Sequence, residues 1–159
     1  MIIVVILMKI AIASDHGGTD LKIEIARFLD EKGYIVIDRS PVNTPTDDYP
    51  DFAYKIGKSI QDGECELGIL LCRSGIGMAI TANKMKGVYA GCISNLREAV
   101  KSRTDDGVNV ACIGGDDELT LNTVKELVEA FLSAESLNDE RHQRRFYKVL
   151  QIESGEYNV

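Results

Sequence analysis

Apolar positions along the chain fall into two rhythms. Short runs that are apolar almost without interruption lie at Lys9–Ser14, Tyr34–Asp38, Leu67–Cys72, Val88–Ile93 and Asn109–Ile113. Runs of that length without alternation are expected of strands covered on both faces, as in a parallel sheet. Between them apolar residues recur every three or four positions. Leu21, Ile25, Phe28 and Leu29 form one helical stripe closed by Gly33, and Phe52, Ala53, Ile56 and Ile60 a second closed by Gly63. A glycine just past a periodic stretch is a helix stop. Met78–Met85, Leu96–Ser102, the stripe Val124, Leu127, Val128 and Phe131, and a stretch from about Asp139 to Leu150 complete six predicted helices. Strand and helix alternating in this way predict a three-layer α/β domain with a five-stranded parallel sheet and a C-terminal helix. Ligands of such domains bind beyond the carboxyl ends of the strands.

Length and composition narrow the picture. A chain of 159 residues reads as one domain, 1–159. The apolar opening Met1–Leu7 is too short to span a bilayer and lacks the basic flank of a signal peptide. An extension ahead of a start at Met8 and an extension of the first strand fit it equally. With 18 basic and 25 acidic side chains the net charge is −7. That balance argues against nucleic acid as the main partner, because phosphate backbones reward clustered Lys and Arg. Cys65, Cys72, Cys92 and Cys112 form no C-x-x-C pair, and the only histidines are His16 and His142. A zinc site or multi-histidine metal centre is therefore not expected, and the thiols read as reduced in a cytoplasm.

The expected strand ends carry the candidate chemistry. Cys72-Arg73-Ser74-Gly75-Ile76-Gly77 leaves the third strand and enters a helix. Glycines there let a backbone approach a ligand, and free N–H groups attract anions. A cysteine in that place is a candidate nucleophile or base, and equally a buried structural residue before a glycine turn. A dinucleotide fingerprint fails, since Ile80 stands where the third glycine belongs and the loop follows the third strand. Asp15-His16-Gly17-Gly18 ends the first strand and suits proton transfer to sugar oxygens, or simply caps the next helix. Asp48-Tyr49-Pro50-Asp51 opens the second helix, and the preceding loop Ser40–Pro50 holds all three prolines and could wall a site. Arg141 and Arg145 lie one helical turn apart, a spacing that fits a phosphate and also a solvated basic face.

Together these segments resemble the ribose-5-phosphate isomerase B family, which includes galactose-6-phosphate and allose-6-phosphate isomerases. The resemblance runs from Met8 to about Ile152. It is carried by Ser14–Gly18, Asp48–Ala53, Cys72–Gly77, Ala82-Asn83-Lys84, Asn109-Val110 and Arg141-His142-Gln143. It implies a Rossmann-like fold and the interconversion of an aldose phosphate and a ketose phosphate without metal or organic cofactor. In that implied mechanism Cys72 takes the proton beside the carbonyl, and the backbone of Arg73, Ser74, Gly75, Ile76 and Gly77 stabilises the enediolate. Asp15, His16 and Tyr49 hold the sugar, and Arg141 and Arg145 hold the phosphate. Family sites form between two subunits, so a homodimer is implied, with tetramers left open. Three positions depart from the family pattern. Arg73 replaces the glycine after the base. Asp105 and Asp106 replace a His-Asn pair whose histidine serves as the ring-opening acid. Asp116 replaces an arginine, for which Arg73 or Arg103 would be the substitute cation. A carboxylate of ordinary pKa, about 3.9, is ionised at neutral pH and cannot donate a proton. Two readings follow: a cytoplasmic sugar-phosphate isomerase with Cys72 and Asp105 at the reacting centre, or a sugar-phosphate-binding partner subunit with little catalysis.

Overall fold

The computed structural model describes residues 7–115 and 119–159. Five strands form one parallel sheet: β1 (Lys9–Ser14), β2 (Ile35–Asp38), β3 (Leu67–Cys72), β4 (Ala90–Cys92) and β5 (Val110–Gly114). Their spatial order is β2-β1-β3-β5-β4. Six α-helices accompany them: α1 (Thr19–Glu31), α2 (Tyr49–Gln61), α3 (Ile76–Ala82), α4 (Leu96–Thr104), α5 (Leu121–Ser133) and α6 (Glu140–Ser154). This is the expected Rossmann-like three-layer architecture.

The sheet order explains the layers. The chain steps one way along the sheet from β1 to β2 and from β4 to β5, and the opposite way from β2 to β3 and from β3 to β4. Crossovers of a single hand therefore put helices on alternate faces. One core joins Ile12, Ile69, Leu71 and Ile113 to Ile25 and Leu29 of α1, Ala99 of α4, and Val124 and Phe131 of α5. The other joins Ala13, Leu70, Cys72 and Cys112 to Phe52 and Ile56 of α2 and Met78 and Ala82 of α3. The central strands β3 and β5 are buried at every position, whereas the edge strands β2 and β4 are half open. That is why the runs of β3 and β5 read as continuously apolar.

Helix ends obey local rules. Gly33 and Gly63 stop α1 and α2 with φ of +90° and +68°. Asn95, Thr120 and Asp139 cap α4, α5 and α6 by accepting backbone N–H bonds. The third helix begins two residues earlier than the Met78–Met85 reading, directly after Gly75, and ends before Asn83. Asn83 then leaves the helical pattern to bond both the N–H and the C=O of Ala90, each at 2.8 Å, on the open edge of β4. Asn109 does the same for Tyr89 N–H and Gly87 C=O. Both asparagines, carriers of the resemblance, thus serve as side-chain substitutes for missing strand neighbours. Asp116 and Met1–Ile6, on which two of the sequence expectations fall, lie outside the described residues.

Candidate active site

The carboxyl ends of β1, β3 and β5 meet where the chain departs from β1 and β3 in opposite directions, the place at which an open α/β sheet has a crevice. Cys72 ends β3 opposite Gly114 and is only 6% exposed. The Gly75 N–H donates to its Sγ at 3.1 Å, so the sulfur carries a fixed donor. Gly75 has φ of +78°, and a Cβ on it would stand 3.2 Å from the Cys112 carbonyl carbon. Both the hand of the turn and the closeness of β5 call for glycine there. Ser74 Oγ accepts from the Ile76 N–H, which stiffens the same loop.

Two further loops close on this one. Asp15 is buried, its Oδ1 accepts the Gly17 N–H at 2.9 Å, and its carbonyl accepts from Gly18 N–H and Thr19 Oγ1. It thereby caps a single turn, His16–Gly18, that presents an exposed His16. Arg73 lies across Gly17, where a Cβ would come within 2.8 Å of its Cγ. The Gly115 N–H donates to the Cys72 carbonyl, which ties the β5 loop to the same point. Tyr49, the first residue of α2, lays its ring over Gly77, where a Cβ would meet the ring at 2.8 Å. Asp15, His16, Tyr49, Cys72 and Arg73–Gly77 are therefore gathered at one end of the sheet. Burial pushes up the thiols of Cys65, Cys92 and Cys112. Asn43 and Asp47, in the loop before α2, carry no motif in the sequence and stand at the same end. Asn43 Nδ2 bonds both the Ser14 carbonyl and Asp47 Oδ2 at 2.8 Å. Hydrogen bonds from Thr44 and Asn43 hold the Asp47 carboxyl below its usual range, with a contribution from the charge of His16.

The remaining predicted residues stand at the opposite end. α4 ends at Thr104, beside the amino end of β5, and α6 docks there. Leu137 and Asn138 N–H groups donate to the carbonyls of Arg103 and Thr104. The Phe146 ring covers Gly107 and meets Tyr89 edge to face at 4.8 Å. Glu153 accepts from Gly87 N–H and Tyr89 Oη, and burial followed by that bond pushes the Tyr89 phenol up to about 12. Within this end, Asp105 accepts from Thr104 Oγ1 at 2.7 Å and lies 3.3 Å from Lys101 Nζ and 3.7 Å from His142 Nδ1. The Thr104 bond first, then Lys101 and His142, holds its carboxyl below the ordinary range. It is an ionised acceptor at neutral pH, not a proton donor. Asp139 accepts the His142 N–H at 2.8 Å. His142 is buried with Nδ1 3.0 Å from Asp139 Oδ2 but off the line of a hydrogen bond, and with Nε2 3.2 Å from Arg141 Nη2. Arg141, Arg145 and Asp106 are exposed.

Arg103, one of the two cations expected to substitute for the arginine replaced by Asp116, stands at the same end as Arg141 and Arg145. Its guanidinium donates to the Val108 carbonyl and stacks 5.6 Å from the Phe131 ring centre, at the amino end of β5. Val110 and Gly114 bound β5, so four strand steps, about 13 Å, separate the two ends. A single chain therefore does not bring Arg141 and Arg145 to Cys72. Among the described residues, no group of three or more His, Cys, Asp or Glu could hold a metal ion, and no helix is long and apolar enough to cross a membrane.

A parallel α/β sheet with a buried cysteine and a glycine loop at its switch point has the layout of a small-molecule site. Residues 10–149 match the Ribose/Galactose Isomerase family, and the chain belongs to that family. A probable ribose-5-phosphate isomerase B of Mycoplasma pneumoniae is 35% identical over 145 residues, 91% of this chain and 94% of its own. The structure of Clostridium thermocellum ribose-5-phosphate isomerase B superposes with a TM-score of 0.89 at 39% identity, covering 94% of this chain and all of the other. That of the Mycoplasma genitalium ribose-5-phosphate isomerase B with bound ribulose-5-phosphate gives 0.86 at 36% identity, covering 92% and 97%.

Proposed function

We propose that the protein interconverts an aldose phosphate and its ketose phosphate, ribose 5-phosphate and ribulose 5-phosphate first among them, with Cys72 as the base. The observation that carries this reading is the Cys72 sulfur itself. It is buried at the switch point, holds a donor from Gly75, and is surrounded by three loops packed backbone to backbone. The ribulose-5-phosphate bound by the Mycoplasma genitalium relative supports the choice of sugar.

In the reaction the Cys72 thiolate removes the proton on C2 of the open-chain aldose. The C2–H electrons form the C1–C2 double bond of an enediolate, and the carbonyl electrons move onto O1. The thiol returns the proton to C1 while the O2 hydroxyl proton passes to O1, so that O2 becomes the carbonyl and O1 the hydroxyl of the ketose. No electron acceptor is consumed, which is why the proposal includes neither cofactor nor metal. Backbone donors of Arg73–Gly77 face the developing oxyanion, where a preorganised donor contributes about 3–4 kcal/mol. Asp15, His16 and Tyr49 hold the sugar hydroxyls. Because Arg141 and Arg145 stand at the far end of the sheet, a second copy of the chain supplies them, in a cytoplasmic homodimer whose sites lie between subunits. Asp105 and Asp106 come with them as hydrogen-bond acceptors.

The test is a panel of ribose 5-phosphate, allose 6-phosphate and galactose 6-phosphate, run on the protein and on Cys72→Ala. Turnover of one sugar, lost by about 1,000-fold or more in a variant that melts normally, is the expected result; an unchanged rate in the variant overturns the mechanism. The ionised Asp105 favours a second reading, a sugar-phosphate-binding partner subunit without a ring-opening acid. Calorimetric binding of a sugar phosphate with no turnover of any of the three selects it.

A further inference from the structure

The end of β1 carries a device that neither the family resemblance nor the reaction explains. β1 extends past β2: the last pair between them is Ile12 with Asp38, while Ser14 is paired only on its other side, with Leu71 of β3. Ser14 is fully buried, so its free edge would leave an N–H and a C=O without partners, at a cost comparable to a lost hydrogen bond each. Side chains of the loop before α2 fill that edge. The Ser14 N–H donates to Ser40 Oγ at 2.8 Å, Asn43 Nδ2 donates to the Ser14 carbonyl at 2.8 Å, and Ser14 Oγ donates to Asn43 Oδ1 at 3.3 Å.

Both clamping residues are themselves held. The Ser40 N–H donates to Asp38 Oδ1, and the Ser40 carbonyl accepts from Lys22 Nζ, which also pairs with Asp38 at 2.9 Å. Lys22 is 2% exposed. A lysine buried to that degree is kept only where its charge and donors are satisfied, so the Lys22–Asp38–Ser40 arm is rigid. On the other arm Asn43 Nδ2 also bonds Asp47 Oδ2, and Asp47 in turn accepts from the Thr44 N–H and Thr44 Oγ1 at 2.9 and 2.7 Å. The next residue along β1 is Asp15, whose carboxylate forms the turn that presents His16.

We propose that Asn43 is a positioning residue for the sugar-holding turn: through Ser14 it sets the placement of Asp15 and His16, with Asp47 fixing the amide of Asn43. The assignment rests on the reading of Asp15 and His16 as sugar ligands and deepens it by giving the loop Ser40–Pro50 a specific task. Cys72 and its glycine loop hang from β3, outside this clamp. Loss of Asn43 therefore loosens substrate contacts that are the same in ground and transition states, and spares the base.

The experiment compares Asn43→Ala, Asn43→Asp and the swapped double variant Asn43→Asp/Asp47→Asn with the parent protein. Steady-state kinetics on the sugar phosphate are measured alongside amide hydrogen exchange. Asn43→Ala is expected to raise KM about tenfold with kcat within about twofold, the pattern of lost uniform binding. Exchange should quicken at Ser14–Gly18 and stay unchanged at Cys72–Gly77. Asn43→Asp places two carboxylates together and is expected to be worse. The swapped variant relieves that repulsion but still has no donor for the Ser14 carbonyl, so it should stay as impaired in KM as Asn43→Ala; a return to the parent KM overturns the assignment. A fall in kcat with KM unchanged, or exchange that quickens equally at both loops, overturns the assignment. If no sugar phosphate is turned over, the isomerase reading fails by itself. The exchange pattern and the calorimetric affinity for ribose 5-phosphate then still decide the role of Asn43: local loosening with weaker binding upholds it, and no change in either overturns it.

Discussion

The two ends of the sheet are built by different physics. At the carboxyl end the contacts are close and centre on glycines: a Cβ on Gly17 or Gly77 would meet the Arg73 or Tyr49 side chain, and one on Gly75 the backbone of β5. The Cys72 sulfur, with its fixed donor from Gly75, sits among buried groups. At the amino end the contacts are ionic and aromatic. Asp105 and Asp139 gather around His142, Arg141 stands at the rim, and Phe146 and Glu153 strap α6 to Tyr89. A tight backbone cradle suits bond rearrangement, where placement within a fraction of an ångström matters. An exposed pair of arginines on a helix suits capture of an anion. On the proposed reading each end has half of what turnover of a sugar phosphate needs, and about 13 Å of β5 lies between them.

The largest effect follows from that separation. Cys72→Ala and the double variant Arg141→Ala/Arg145→Ala are each expected to be inactive alone. If sites join opposite ends of two copies, a mixed dimer has one doubly damaged site and one intact site. Co-refolding the two variants in equal amounts should restore about one quarter of the parent activity, the share of intact sites in a random twofold dimer. If both ends act within one chain, mixing restores nothing. The recovered rate, read against the mixing ratio, decides between them.

A smaller effect tests the carboxyl end by itself. Gly75→Ala forces an L side chain into a left-handed turn and brings its Cβ to 3.2 Å from the Cys112 backbone. The conformational cost is about 1–2 kcal/mol, which lowers the melting temperature by several degrees. The loop must shift, and with it the N–H on Cys72 Sγ, so kcat should fall by about tenfold or more. Arg145→Ala, which leaves one arginine of the pair in place, should instead raise KM and keep the melting temperature near the parent value. A Gly75→Ala protein that loses only stability would show that the cradle is structural.

Much of this architecture was legible along the chain, and the exceptions have physical reasons. The bounds of β1 and β3 match the apolar runs because both strands are buried nearly throughout, leaving periodicity no ambiguity. The bounds of β4 do not, because Val88 and Tyr89 are apolar for contact with neighbours other than a strand; Tyr89 serves α6. Cys72, Tyr49 and Asp15 could be placed together because loops at one end of a parallel sheet converge. The separation of Arg141 from Cys72 could not, because it depends on which strands lie side by side. Asn43 and Asp47 gave no signal: their spacing reads as an ordinary polar loop, and their work emerges only once β1 is seen to outrun β2. The state of Asp105 was equally hidden, since burial beside Asp106 would have raised its carboxyl. The Thr104 hydroxyl and the neighbouring cations lower it instead.

The smallest effect isolates the amino end. Asp139 caps α6 through the His142 N–H and faces the His142 ring and Arg141. These contacts, the backbone bond first, hold its carboxyl below the ordinary range, as the Thr104 bond does for Asp105. A carboxyl depressed in the folded state stabilises it at every pH above the ordinary value of about 3.9 and loses that contribution as the pH falls through the depressed value. Asp139→Asn keeps a capping oxygen and loses the charge, while Asp139→Ala loses both. At neutral pH the alanine variant should melt only about 2–4 °C below the parent, with the asparagine variant between them. Acidification below the carboxylate range should erase the gap between parent and asparagine variant, because both then carry a neutral cap. Exchange at residues 139–150 should quicken in the alanine variant while Cys72–Gly77 keeps its protection. A gap that persists unchanged into acid would mean that it comes from the fit of the cap and not from the Asp139 charge.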